Sequence, residues 1–361
     1  MTISYLTLER FRNQQLGGNI SMRAEEIVAW LGAVQAQDYA GAEWSIGLRL
    51  PGSTEGDIEK AVADRKIVLT WALRGTLHFV AAPDIRWMLA LLAPGIIAKR
   101  ASRYRQLGLD KKTFAECKQV LIQELQGDRQ RTRKDLISSL EDAGISTEGQ
   151  RGYHLLGRSG LEGVICFGPK EDRQQTFVLL DAWIPPSPDQ DHLTSMAGLA
   201  GRYVASHGPA TLQDFIWWSG LSAADARSAL AAAGPDLYTD SLGGRVYWRS
   251  KSNFPSHHAS PKNVLLPAYD EYLLGYRDRS HALDPGDAGK VNLIKGLALP
   301  ILIDGKVVGT WKRTPKQNKI LIALDYFHHP KEDEQSAILA AAERYGEFIG
   351  KSVEVQHSYH P

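Results

Sequence analysis

The chain has 361 residues, 43% of them hydrophobic and 23% charged, with a formal net charge of +1. That length suits two or three domains, and the charge balance excludes a chain that is basic throughout, so a DNA-binding face has to be a local patch. Cys117 and Cys166 are the only cysteines; without a CxxC they support neither a disulfide framework nor a zinc site, and they fit a reducing cytoplasm.

The first residues, 1–18, carry Glu9, Arg10 and Arg12 and no apolar core, unlike a signal peptide. Helical patterns follow over 6–15, 22–35 and 54–64, then strand patterns over 67–71 and 76–81 that meet around Arg74-Gly75. This predicts a first winged helix within residues 1–110. The greasiest run, 87–98, is broken by Pro94-Gly95 and too short to cross a bilayer. A buried helix end explains it. Residues 111–184 repeat the order: a helix over 111–126, a short one capped by Thr132, a third over 149–162, and strands over 164–167 and 176–181. Pro185, Pro186 and Pro188 mark an extended linker, 185–191.

The pattern is clearest in residues 192–250. A helical stripe ends at His207-Gly208-Pro209, Thr211 and Ser222 each cap a short helix, and Gly243-Gly244 turns a two-strand hairpin. Residues 251–361 change character. Runs over 264–267, 298–303, 306–312 and 319–324 predict a small antiparallel sheet or barrel, closed by an amphipathic helix over 331–349. The fold class is therefore α+β, with three winged helices in tandem.

Winged helices read DNA but also serve as protein scaffolds, so the fold alone does not decide function. Lys306, Lys312, Arg313, Lys316 and Lys319 surround Trp311 without an intervening acid. Arg129, Arg131, Arg133 and Lys134 form a second cluster, and Lys99, Arg100, Arg103 and Arg105 a third. Each suits phosphates, and each also reads as a solvated face. The third helix of the third unit offers only Asp225 and Arg227 among alanines and serines, a poor set for reading base edges. Near residue 35 two glutamines flank one apolar residue. On a continuing helix Gln35 and Gln37 would point about 200° apart. They converge only if the helix ends near Ala36, for which residues 38–41 supply a stop. The competing reading makes them ordinary cap or surface amides.

Segments 32–39, 71–78, 207–211, 266–276 and 307–311 together resemble the winged-helix DNA glycosylase family, in its AlkZ-like branch. The resemblance spans nearly the whole chain. It implies tandem winged helices around a C-shaped channel, and it sets the Gln-apolar-Gln catalytic signature on Gln35, Ala36 and Gln37. A sister group carries Gln-apolar-Asp instead. The implied activity is a monofunctional DNA glycosylase acting on N7-alkylated purines in double-stranded DNA, with unhooking of interstrand crosslinks as a further expectation. Asp38, Arg74 and His78 are expected along the channel, and Trp311, Lys312, Arg313 and Lys316 against DNA. Arg74 as a turn residue and His78 as a core residue are the alternatives. No cofactor, metal or membrane is expected, and the chain is expected to act as a monomer in the cytoplasm. His257 and His258 read as a solvated loop rather than a metal pair. Asp270 and Glu271 read as structural, with Tyr269, Tyr272 and Tyr276 at helical core spacing. The rival function is a winged-helix DNA-binding or transcription-related protein without catalysis.

Overall fold

A computed structural model describes residues 5–17, 21–172, 174–188, 190–251, 263–284, 286–287 and 299–359. His257 and His258 lie outside the described residues. The chain forms two compact units, one from residues 1–58 with 196–361 and one from 59–195. The first segment holds α1 (Tyr5–Asn13), α2 (Ala24–Leu31), β1 (Val34–Gln35), α3 (Tyr39–Gly47) and the start of α4 (Glu55–Ala63).

The continuous unit holds β2 (Ile67–Trp71), β3 (Leu77–Ala81), α5 (Ile85–Gln106), α6 (Lys111–Leu125), β4 (Arg131–Thr132), α7 (Arg133–Asp142), α8 (Arg151–Leu161), β5 (Ile165–Phe167), β6 (Thr176–Leu179) and α9 (Leu180–Trp183). Thr132 caps α7 as its sequence requires, with Asp135 closing the reciprocal pair. The strands of this unit run in the order β3-β2-β5-β6-β4. Leu69 pairs with Phe167 across β2 and β5, so the first two predicted hairpins share one sheet. Trp71 packs on Phe167 at 5.1 Å between ring centroids. Gly160 of α8 permits this approach, since a Cβ there would stand 2.2 Å from the Trp71 ring. The compact units therefore do not follow a border at residue 110. The apolar run 87–98 lies inside α5, with Met88, Leu92 and Ile96 buried. Cys117 and Cys166 are free and buried. Burial pushes the Cys117 thiol up to about 11, out of the range where a thiolate would act.

The chain then re-enters the first unit through α10 (His192–His207), α11 (Leu212–Ser219), α12 (Ala223–Ala232), β7 (Leu237–Leu242) and β8 (Arg245–Ser250). Thr211 and Ser222 are the N-caps of α11 and α12, and the hairpin turns at Gly243 and Gly244, both at positive φ. The remaining elements are β9 (Val264–Leu265), α13 (Glu271–Leu274), β10 (Leu299–Ile303), β11 (Lys306–Pro315), β12 (Lys319–Tyr326), α14 (Glu332–Phe348) and β13 (Ser352–Tyr359). Their sheet runs in the order β13-β12-β11-β10-β9. β13 lies parallel to β12, so the sheet is mixed rather than wholly antiparallel; α14 supplies the crossover that a parallel pair needs. The tyrosine run forms only the four-residue α13, with Tyr272 and Tyr276 buried and Tyr269 at φ 62° before it.

A buried ion pair ties the residues just after α3 to the segment ahead of α13. Arg49 donates to both oxygens of Asp270 at 2.9 Å, and Ser45 donates to the same carboxylate at 2.7 Å. Asp270 also caps α13. Glu271 accepts from the Trp218 indole at 2.9 Å. Both acids are structural, as their surroundings in the sequence suggest. Among the described residues no helix is long and apolar enough to cross a membrane, and no group of three or more His, Cys, Asp or Glu side chains is placed to hold a metal.

Candidate active site

The two glutamines lie where α2 gives way to extended chain. Leu31 is the last helical residue and Gly32 follows at φ 83°. That conformation suits glycine. A Cβ at Gly32 would also stand 3.1 Å from the Trp218 ring, which its bond to Glu271 holds in place. Gly32→Ala is therefore expected to cost about 1–3 kcal/mol through backbone strain and crowding. A thermal melt shows it as a lowered midpoint; an unchanged midpoint would mean that Gly32 does not set the exit from α2.

Beyond Gly32 the period of the side chains becomes two. Val34 and Ala36 are buried, at 1% and 2% exposure. Gln35 and Gln37 meet: Gln35 Nε2 donates to Gln37 Oε1 at 2.6 Å. The convergence expected of a broken helix is present, but the break comes sooner than the sequence suggested. The helix ends at Leu31 rather than near Ala36, and Gln35 stands on β1. Gln35 is buried at 6% exposure, whereas Gln37 is exposed. One amide is thus fixed by its surroundings and the other faces solvent.

Asp38 does not close α2. It opens α3 as its N-cap, accepting from the Gly41 amide at 3.2 Å. Gly41 makes room for the cap, since a Cβ there would lie 2.6 Å from Asp38 Oδ2. Arg313 of β11 reaches the same carboxylate at 3.2 Å and donates to the Tyr345 hydroxyl at 2.7 Å. Burial above all pushes the Tyr345 phenol up, so it stays protonated beside the guanidinium. Arg313 is a strut that holds Asp38, a role that no local pattern announces.

Alternation along β11 also corrects Trp311. Its ring is 1% exposed, its indole donates to the Leu266 carbonyl at 2.7 Å, and it packs on Tyr345 at 5.2 Å. Trp311 is a core residue and not a DNA contact. Lys312 and Lys316 point to solvent. Arg74 and His78 stand in the other compact unit. Arg74 takes φ 58° in the tight turn between β2 and β3. His78 is fully buried, its Nδ1 2.9 Å from the Thr76 carbonyl.

Chemically, the glutamine pair is neutral at every ordinary pH. Amides offer donors and acceptors but no usable base. Such a pair suits orienting a water molecule and facing a developing positive charge.

Comparison with known proteins bears on this site. The family model described as DNA glycosylase AlkZ-like matches residues 28–348, a span that includes Gln35, Gln37, Asp38 and Arg313. A protein of Streptomyces sahachiroi named as an interstrand DNA cross-link repair glycosylase is 28% identical over 327 residues, covering 84% of this chain and 85% of its own. The solved structure of the Streptomyces sahachiroi DNA glycosylase AlkZ superposes with a TM-score of 0.82 at 22% identity, over 99% of this chain and 100% of that one. At that identity the structural likeness speaks for the fold.

Proposed function

The chain belongs to the AlkZ-like DNA glycosylase family, and from that premise we propose that Gln35 and Gln37 perform hydrolysis of the N-glycosyl bond of N7-alkylated purines in duplex DNA. The observation that carries this reading is the 2.6 Å bond between the two amides, which makes them one unit rather than two separate surface side chains. An N7-alkyl group leaves the purine positively charged, so the base departs as a neutral molecule without acid help. As the C1′–N9 bond breaks, positive charge grows on the sugar. An amide oxygen of the pair faces that charge, and the pair orients the water that bonds to C1′. The water's second proton is released to solvent, and the product is an abasic site. No lysine nucleophile takes part, so the strand is left intact.

The S. sahachiroi relative is named for repair of interstrand cross-links, and the same task is proposed here. A base tethered to both strands cannot swing freely into a deep pocket. The exposure of Gln37 suits a base approached where it lies. The chain is proposed to act as a monomer, because its winged helices already supply several contacts in one polypeptide.

The test is a labelled duplex with one N7-methylguanine, and beside it a nitrogen-mustard crosslink. Strand breakage that appears only after alkali is the expected result. Breakage without alkali would overturn the monofunctional assignment. Tight binding with no product from either substrate would favour the non-catalytic DNA-binding reading.

A further inference from the structure

The continuous unit carries a positive surface that the catalytic proposal does not use. From residue 85 to residue 109, which spans α5, the sequence holds no acid, yet Lys99, Arg100, Arg103 and Arg105 crowd its last two turns. In the structure this end of α5 packs against the start of α8. Arg103 donates to the Gln150 amide oxygen at 2.9 Å and to Gln106 at 3.1 Å. Arg151 donates to the Ser146 carbonyl at 2.8 Å and to the Leu107 carbonyl. Arg100 donates to the Gly75 carbonyl at 2.6 Å. The acceptors are amides and carbonyls rather than carboxylates, so these bonds position the guanidinium groups without neutralising them. The acids of this region have contacts of their own: Asp110 caps α6, Glu162 pairs with Arg158 at the far end of α8, and Glu141 accepts from Thr147, whose bonds first and the Arg151 charge last hold its carboxyl below the ordinary range. Burial first, then the charges of Arg100 and Arg103, lower the His154 pKa. Tyr153 stands 43% exposed beside His154 at the start of α8. Arginines in the last turn of α5 would suit its helix dipole, but Arg151 belongs to another helix and needs a different reason.

We propose that Arg103, Arg105 and Arg151, with Tyr153 beside them, form a surface that binds the sugar–phosphate backbone of duplex DNA. Arginine matches phosphate through its planar fork, and tyrosine hydroxyls commonly contact the same backbone. The inference rests on the reading that the chain works on duplex DNA.

The experiment measures binding of the full chain to undamaged duplex by fluorescence anisotropy across a salt series. Each phosphate contact contributes about 0.9 to the slope of log K against log salt. Arg103→Gln with Arg105→Gln is expected to lower that slope by about two, so that the loss of affinity between roughly 50 and 200 mM salt shrinks about tenfold. Arg103→Lys with Arg105→Lys is expected to restore the slope, which a merely structural role would not do. Lys60→Gln, which removes an exposed partner of Asp64 on α4, is expected to leave it unchanged. A parent that binds with a steep slope equal to that of the glutamine variant overturns this surface and spares the glycosylase reading. A parent that binds no duplex at all overturns both.

Discussion

Gln37→Ala is expected to slow single-turnover excision of N7-methylguanine by about a hundredfold or more, the scale of losing one preorganised polar group at a charge that forms in the transition state. Gln35→Ala is expected to cost a similar factor. The two side chains share a bond of 2.6 Å, so the double variant should be little worse than either single one, as for residues that act as a unit. Gln37→Glu discriminates among roles. A carboxylate keeps an acceptor for the Gln35 amide and for the sugar cation, so it should retain more activity than alanine. That activity should fall as pH drops toward about 4.3, where a glutamate protonates. Alanine variants that bind the lesion duplex and excise at the parent rate would remove the glutamines from the mechanism.

Asp270→Ala is expected to destabilise the first compact unit by about 3–5 kcal/mol, because it leaves Arg49 charged and buried without its carboxylate. Arg49 and Asp270 are 0% and 3% exposed, so water does not replace the lost partner. Urea melts measure the change. Replacing both partners with apolar residues, Arg49→Met with Asp270→Leu, should recover part of the loss, since no orphan charge remains. Equal stability of Asp270→Ala and the parent would show that the pair contributes nothing net. The pair also predicts acid lability. Burial pushes the Asp270 carboxyl up, but the Arg49 charge and its hydrogen bonds outweigh that and hold it below its ordinary range. The folded state thus binds this proton less readily than the unfolded chain. The contribution is fully present above the unfolded carboxyl range near 3.9 and is lost as pH falls through the lower folded value.

The winged helix of residues 192–250 was legible because its signals are local. Thr211, Ser222 and the paired glycines 243 and 244 each act on the few residues next to them. The glutamine strand was half legible. The helix had to break, but Gly32 breaks it, and its reason is Trp218, more than 180 residues away in sequence. Trp311 was misread because its lysine neighbours suggested a DNA face, although alternation along β11 was already present in Val307, Gly309 and Trp311. β13 was missed since its outward, largely polar side chains give little apolar signal and its partner β12 lies beyond α14. The bonds from Arg313 to Asp38 and from Arg49 to Asp270 join residues 275 and 221 positions apart. Spacing in a single sequence cannot reveal such pairs.

The unit that carries the glutamines is assembled from both sides of an inserted one, residues 59–195. During synthesis the inserted run is complete before the outer unit has its second half. At about 5–20 residues per second, Arg49 waits roughly 10–45 s for Asp270 to emerge. Throughout that interval Trp44, whose indole later donates to the Leu265 carbonyl, has no sheet to rest on. The inserted run, residues 59–195, is thus complete and free to fold while the outer unit still lacks its second half.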